Sequence, residues 1–166
     1  MDSDCLIKLT KGEAKGDVTM CVDMTIPETV KMETVDEGKA HGYPDPLEIE
    51  KNIKKGRIKV KPTRTTSEIR HSAETLRLRG GEVEVYSLFQ KGNFTAIASD
   101  DQKFMRKMEE MGISCMTPTA LIIYTWRKGA INRKRALELL ENIKPIVSDE
   151  EYILSKLEIE RGGEPL

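Results

Sequence analysis

Residues 94–116 read FTAIASDDQKFMRKMEEMGISCM, and this stretch decides the fold class. Phe94–Ala98 is a short apolar run, the pattern of a buried strand, and it ends at the polar triplet Ser99-Asp100-Asp101. Phe104, Met105, Met108 and Met111 then recur at the spacing of one helix face, and Gly112 stops that helix. Ile113–Met116 is a second brief strand. Strand, helix and strand in close succession predict parallel strands, because a crossover helix returns the chain to the same end of the sheet.

The same alternation extends outward in both directions. Val18–Ile26 (VTMCVDMTI) alternates like a strand, and Pro27 stands where a helix can begin, with Val30 and Val35 facing the core. Asp45-Pro46 starts a helix carrying Leu47, Ile49 and Ile53, which Gly56 ends, and Arg57–Lys61 (RIKVK) is another strand. Helices are expected over Thr66–Leu78 and Glu82–Gln90, separated by Gly80-Gly81. Downstream, Thr117-Pro118-Thr119 opens the apolar helix Ala120–Trp126, and Asn132 and Ser148 are N-caps for two more. A mostly parallel sheet covered by helices follows, within the 166 residues of one domain.

Charge is balanced in total and segregated in place. The 27 Lys and Arg against 28 Asp and Glu give a formal net charge of −1, which excludes a uniform basic coat and an acidic disordered tail. Yet Lys51, Lys54, Lys55, Arg57, Lys59, Lys61, Arg64 and Arg70 are opposed only by Glu68. A second basic cluster, Arg127, Lys128, Arg133, Lys134 and Arg135, flanks Gly129. Solvated helix faces are the simplest account of either cluster alone. No apolar run approaches the ~18 residues of a membrane span, and the acidic start MDSDCLIKLTKGEAK is unlike a secretory signal, so a cytoplasmic protein is expected. Cys5, Cys21 and Cys115 lack CxxC spacing, which argues against a disulfide framework or a zinc ribbon.

The acids fall at chemically suggestive places. Asp2 and Asp4 adjoin the apolar stretch Cys5–Leu9, expected to be the first strand, and Glu33 lies in the first helix. Glu82 opens a helix, while Asp100 and Asp101 follow the carboxyl end of a strand, where open α/β sheets place their ligand crevice. Converging carboxylates repel unless a cation neutralises them, and such hard oxygen ligands suit Mg²⁺ or Mn²⁺. A cation held there can activate water and stabilise charge on a phosphodiester. Helix capping is the competing account, since acids are favoured at helix N-termini, but capping does not require the acids to converge.

The ordered set DSDCLIKL, IPETVKMETV, GGEVEVYSL and AIASDDQKFMRKMEEMGI resembles the PIN-domain family, which includes the VapC-type toxin ribonucleases and is related to flap endonucleases. The resemblance runs over about residues 1–145 and leaves 146–166 as a C-terminal helical extension. It implies an α/β fold, a three-layer α/β/α sandwich with a mostly parallel central sheet. It also implies an Mg²⁺- or Mn²⁺-dependent ribonuclease with Asp2, Glu33, Glu82, Asp100 and Asp101 in the catalytic set. Asp2, Glu33, Glu82 and Asp101 would be the metal ligands, with Glu84 a less certain addition. RNA is the implied substrate, an antitoxin or other protein a possible partner, and a homodimer the expected assembly. Only Met1 precedes Asp2, so either the first strand runs chiefly through residues after Asp2 or the chain starts further upstream. Ser99 stands where Thr is commoner, which keeps the hydroxyl.

The remaining singletons add little chemistry. His41 and His71 lack partners at catalytic spacing, and the methionines, Trp126 and Tyr124 suit core or subunit contacts. Beside an acidic site, however, Lys51–Arg70 gains a purpose, since bases must hold a polyanion's phosphates close to it. Two rivals remain. A non-catalytic RNA- or protein-binding module would bind without turnover, and a phosphatase or receiver-like protein would place a full hydrophobic strand before its acids, which this sequence lacks.

Overall fold

The computed structural model describes residues 1–42 and 45–162; the last four residues of the expected C-terminal extension lie outside the described residues. The chain opens with α1 (Ser3–Lys11) and α2 (Lys15–Val18), then enters β1 (Met24–Pro27). A helical rod follows: α3 (Glu28–Lys31), a π-helical segment Met32–Glu37 and α4 (Gly38–Ala40), with helical backbone maintained across both junctions. Next come α5 (Asp45–Lys54), β2 (Ile58–Lys61), α6 (Ser67–Thr75) and α7 (Gly81–Lys91). The decisive stretch forms β3 (Ile97–Ala98), α8 (Gln102–Glu110) and β4 (Cys115–Met116). Helices α9 (Pro118–Arg127) and α10 (Arg133–Ile143), a 3₁₀ turn at Lys144–Ile146 and α11 (Asp149–Arg161) complete it.

Both strand pairs are parallel, β1 with β2 and β3 with β4, which makes this an α/β fold with short parallel strands. The two pairs are separate two-stranded sheets among the described residues. The crossover helices begin and end where local chemistry dictates. Thr66, Asp101, Thr117, Asn132 and Ser148 each accept a backbone N–H at a helix start. At the other end, Gly56 (φ +70) and Gly112 (φ +72) take the left-handed conformation that closes α5 and α8.

Some strand expectations fail. Cys5–Leu9 is part of α1, not a strand. Asp2 caps this helix through the Cys5 N–H, and the buried residues are Cys5, Leu6 and Leu9, one helical stripe rather than alternate positions. Likewise only Met24–Pro27 of the expected strand 18–26 is extended, Val18 closing α2 instead.

The core gathers around α9, whose Leu121, Ile122 and Trp126 are buried together with Leu6 and Leu9 of α1 and Leu139 of α10. Trp126 is therefore a core residue. Tyr152 and Ile159 of α11 are buried in the same cluster. The second basic cluster is used internally: Arg135 pairs with Asp17 at 3.0 Å and Glu138 at 2.9 Å, and Arg127 with Glu158 at 2.6 Å. No helix among the described residues is long and apolar enough to cross a membrane.

Candidate active site

Each acidic side chain is positioned by the start of a helix or by a distortion within one. Asp2 holds the first turn of α1, its Oδ1 accepting from Cys5 N–H at 2.9 Å. Asp101 does the same for α8, its Oδ1 accepting from the N–H groups of Lys103 at 2.8 Å and Phe104 at 3.0 Å. Glu82 lies in the first turn of α7 and accepts from Arg79 N–H at 2.8 Å. Glu33 projects from the π-helical segment and accepts from the hydroxyl of Ser3. Capping thus accounts for Asp2 and Asp101, and Glu82 reaches back to the Arg79 N–H, but Glu33 caps no helix.

They converge on one shallow cleft of about 220 Å³, lined by Asp2, Asp4, Glu33, Glu82 and Asp101 with Ser3 beside them. The N-termini of α1, α7 and α8 all meet there, so three helix dipoles present their positive ends to the carboxylates. Among the described residues the acids are not drawn into a ready cluster: no three carboxylate, His or Cys side chains stand close enough to hold one ion between them. The donor set nevertheless consists of hard carboxylate and hydroxyl oxygens, the chemistry that suits Mg²⁺ or Mn²⁺.

Asp2 is the most perturbed of these acids. Burial pushes its carboxyl above the ordinary value, while hydrogen bonds from the Ser99 hydroxyl and Cys5 N–H pull the other way. Ser99 is fully buried and also accepts from Asp101 N–H at 3.1 Å, so one hydroxyl links both acids. The retained hydroxyl at this position has a definite structural use.

Two expected participants lie elsewhere. Asp100 does not line the cleft; it forms an ion pair with Lys8 of α1. Glu84 is held by the hydroxyls of Thr29 at 3.0 Å and Thr63 at 2.5 Å, which fastens the loop after β2 to α7. That loop carries Arg64, so part of the basic segment is tied to a helix of the site. Conversely, Asp4 lines the cleft although the family resemblance left it out of the catalytic set. Its position two residues along the same helix start was the available signal.

Two of the three thiols, Cys5 and Cys115, are poorly suited to act as competing nucleophiles. Burial raises Cys5 well above its usual value and moves Cys115 to about 11, so the reactive thiolate is disfavoured in both. The family model that matches the chain is described as a PIN domain and covers residues 1–157. No curated protein and no solved structure matches it.

Proposed function

Because the chain belongs to the PIN-domain family, whose members are generally nucleases using divalent metal ions, we propose that it is an Mg²⁺- or Mn²⁺-dependent endoribonuclease. The supporting observation is that Asp2, Glu33, Glu82 and Asp101, from four separate segments of the chain, line one cleft. Asp2 and Asp101 are the assigned direct ligands, with Glu33 and Glu82 completing the oxygen set. A bound Mg²⁺ or Mn²⁺ supplies Lewis-acid stabilisation of charge on the phosphodiester and lowers the pKa of water at neutral pH.

The protein's own groups do the rest. The caps on α1 and α8 fix the Asp2 and Asp101 carboxylates before substrate arrives, so little reorganisation is needed during reaction. Ser3 holds Glu33 toward the same cleft. Lys8 pairs with Asp100, which limits the negative charge beside the site and sets Asp100 apart from the other members of the catalytic set. Exposed Lys55, Arg57, Arg64 and Arg70 supply the positive charge that retains an RNA backbone.

This reading includes a three-layer α/β/α sandwich over residues 1–145, with 146–166 as a helical extension, and a homodimer acting in the cytoplasm. An antitoxin or another protein is the partner it allows. The test is cleavage of defined RNAs with Mg²⁺, Mn²⁺ or chelator. Asp2→Asn and Asp101→Asn are each expected to lose roughly 100-fold or more in turnover, the scale of removing one electrostatic stabiliser of a transition state. Asn also caps helices, so both variants should remain folded by circular dichroism. Asp100→Asn is expected to retain turnover within about tenfold of the parent (about 1.4 kcal/mol). Unchanged cleavage by Asp2→Asn and Asp101→Asn would remove the site assignment. RNA retention without turnover at any metal concentration would instead support the non-catalytic binding module.

A further inference from the structure

Asp2 and Asp101, the assigned direct ligands, stand at the starts of two helices that pack on different partners. Helix α1 packs on α5, α9 and α10, whereas α8 packs on β4. Three polar ties join α1 and its cap to the loop between β3 and α8 that carries Asp101. Asp2 N–H donates to Ala98 O at 3.0 Å. The Ser99 hydroxyl bonds to the Asp2 carboxylate and accepts from Asp101 N–H at 3.1 Å. The third tie is the ion pair between Lys8 and Asp100, the residue that separates Ser99 from Asp101 in the chain.

The first two ties act at the cap of α1. Lys8 lies in the last turn of that helix, about 9 Å further along its axis, and so adds a second point of attachment. Two separated points fix a direction as well as a position. The side chains of Lys8 and Asp100 are 24% and 15% exposed, so salt and water screen this pair less than one on the open surface. Lys8 also has a nearer choice. Asp4 precedes it on α1 at the spacing of an (i, i+4) pair, yet Lys8 is held on Asp100 while Asp4 lines the cleft. The partner taken is the one that spans two segments.

We propose that Lys8 and Asp100 are positioning residues for the metal site: their ion pair fixes α1 against the β3–α8 loop and so sets the separation of the Asp2 and Asp101 carboxylates. This rests on the reading of those two acids as metal ligands. Asp100 then serves the site through Lys8, without touching the ion. Removing a group that orients a metal ligand typically costs 10–100-fold in metal affinity. Through-space electrostatics makes a different demand. Loss of the Lys8 cation would strengthen binding of a divalent cation, and loss of the Asp100 anion would weaken it. The clamp requires both losses to weaken it.

The test is Mn²⁺ binding to the protein without RNA, followed by electron paramagnetic resonance of the free ion, with circular dichroism to confirm folding. Lys8→Met and Asp100→Asn are each expected to weaken binding about tenfold. The double variant is expected to lose no more than either single one, because the two residues act as a unit. Lys8→Arg retains the charge and the reach, and is expected to stay within about threefold of the parent. The Mn²⁺ concentration for half-maximal RNA cleavage should rise by the same factors. Parental affinity in both single variants would overturn the clamp. So would stronger binding by Lys8→Met with weaker binding by Asp100→Asn and a return to the parental value in the double variant, since charge alone would then suffice. Failure of the clamp shows as equal affinities with RNA cleavage intact, whereas failure of the nuclease reading shows as Mn²⁺ binding without cleavage. A parent protein that binds no Mn²⁺ would overturn both.

Discussion

Lys15 is 5% exposed, and its ammonium has no hydrogen-bond partner among the described residues. Burial lowers its pKa from 10.5 to about 8, with Glu48 and Asp45 only partly compensating. Between about pH 8 and 10.5 the unfolded chain therefore holds a proton that the folded chain has released. Stability rises with pH across that window, and below it the full cost of the buried charge is present. Lys15→Met is expected to raise the melting temperature at pH 7 by about 3 °C or more, with the advantage fading as the pH passes 10. Thermal melts of both proteins across pH 7–10.5 check this, and a pH-independent difference would count against it. Residues of this kind are hard to read from sequence, because Lys15 stands among charged and small neighbours that suggest a solvated turn. Asp100 is similar. Its partner Lys8 is 92 residues away, so nothing local distinguished it from Asp101. Glu82 and Asp101 were legible as acids beside a helix start and a strand end, whereas Asp2, read beside an expected strand, and Glu33 joined them only through the family resemblance.

At the scale of elements, the caps and stops carried the most information. Thr66, Asp101, Thr117, Asn132 and Ser148 satisfy otherwise orphaned N–H groups through their own side chains, a local effect that sequence displays directly. Cys5–Leu9 was misread because five residues can satisfy either period, and only the Asp2 cap and burial of Leu6 with Leu9 separate them. The π-helical segment that carries Glu33 had no sequence mark at all. Such segments are common at functional sites, and this one, between two short helices, itself packs on α5. Gly38, immediately after it, shows what fixes its position. A Cβ there would meet Pro46 Cγ at 2.6 Å. Helix propensity alone favours Gly38→Ala by about 1 kcal/mol. Overpacking against a rigid ring costs about 1–3 kcal/mol and is the larger effect. Gly38→Ala is accordingly expected to lower the urea midpoint, whereas Gly38→Ala combined with Pro46→Ala should recover most of the loss. A stabilised single variant would show that the rod moves freely on α5.

Over the whole molecule, the net charge of −1 is a cancellation between two regions with different duties. Five of the 28 acids line one cleft, and the bases divide into two kinds. Arg127 and Arg135 are engaged in ion pairs with α11, α2 and α10, so these two members of that cluster have a structural use. In the other cluster Lys51, Lys54 and Lys59 are also paired, with Glu48, Glu50 and Asp23. Lys55, Arg57, Arg64 and Arg70 remain exposed without a salt bridge to the described residues, and Thr63 ties the loop that carries Arg64 to α7 beside the cleft. If this second kind holds RNA, its charges set the salt dependence of binding. Each phosphate contact to a single strand contributes about −0.7 to the slope of log affinity against log salt. Replacing Arg57, Arg64 and Arg70 together by Gln is expected to weaken RNA binding at low salt and reduce that slope by about 2. The corresponding change at Arg127, Arg133 and Arg135 is expected to lower stability while leaving the slope unchanged. Binding titrations over a range of KCl concentrations separate the two outcomes. A slope that falls only with the C-terminal triple variant would move the RNA path to the opposite cluster and away from the carboxylate cleft.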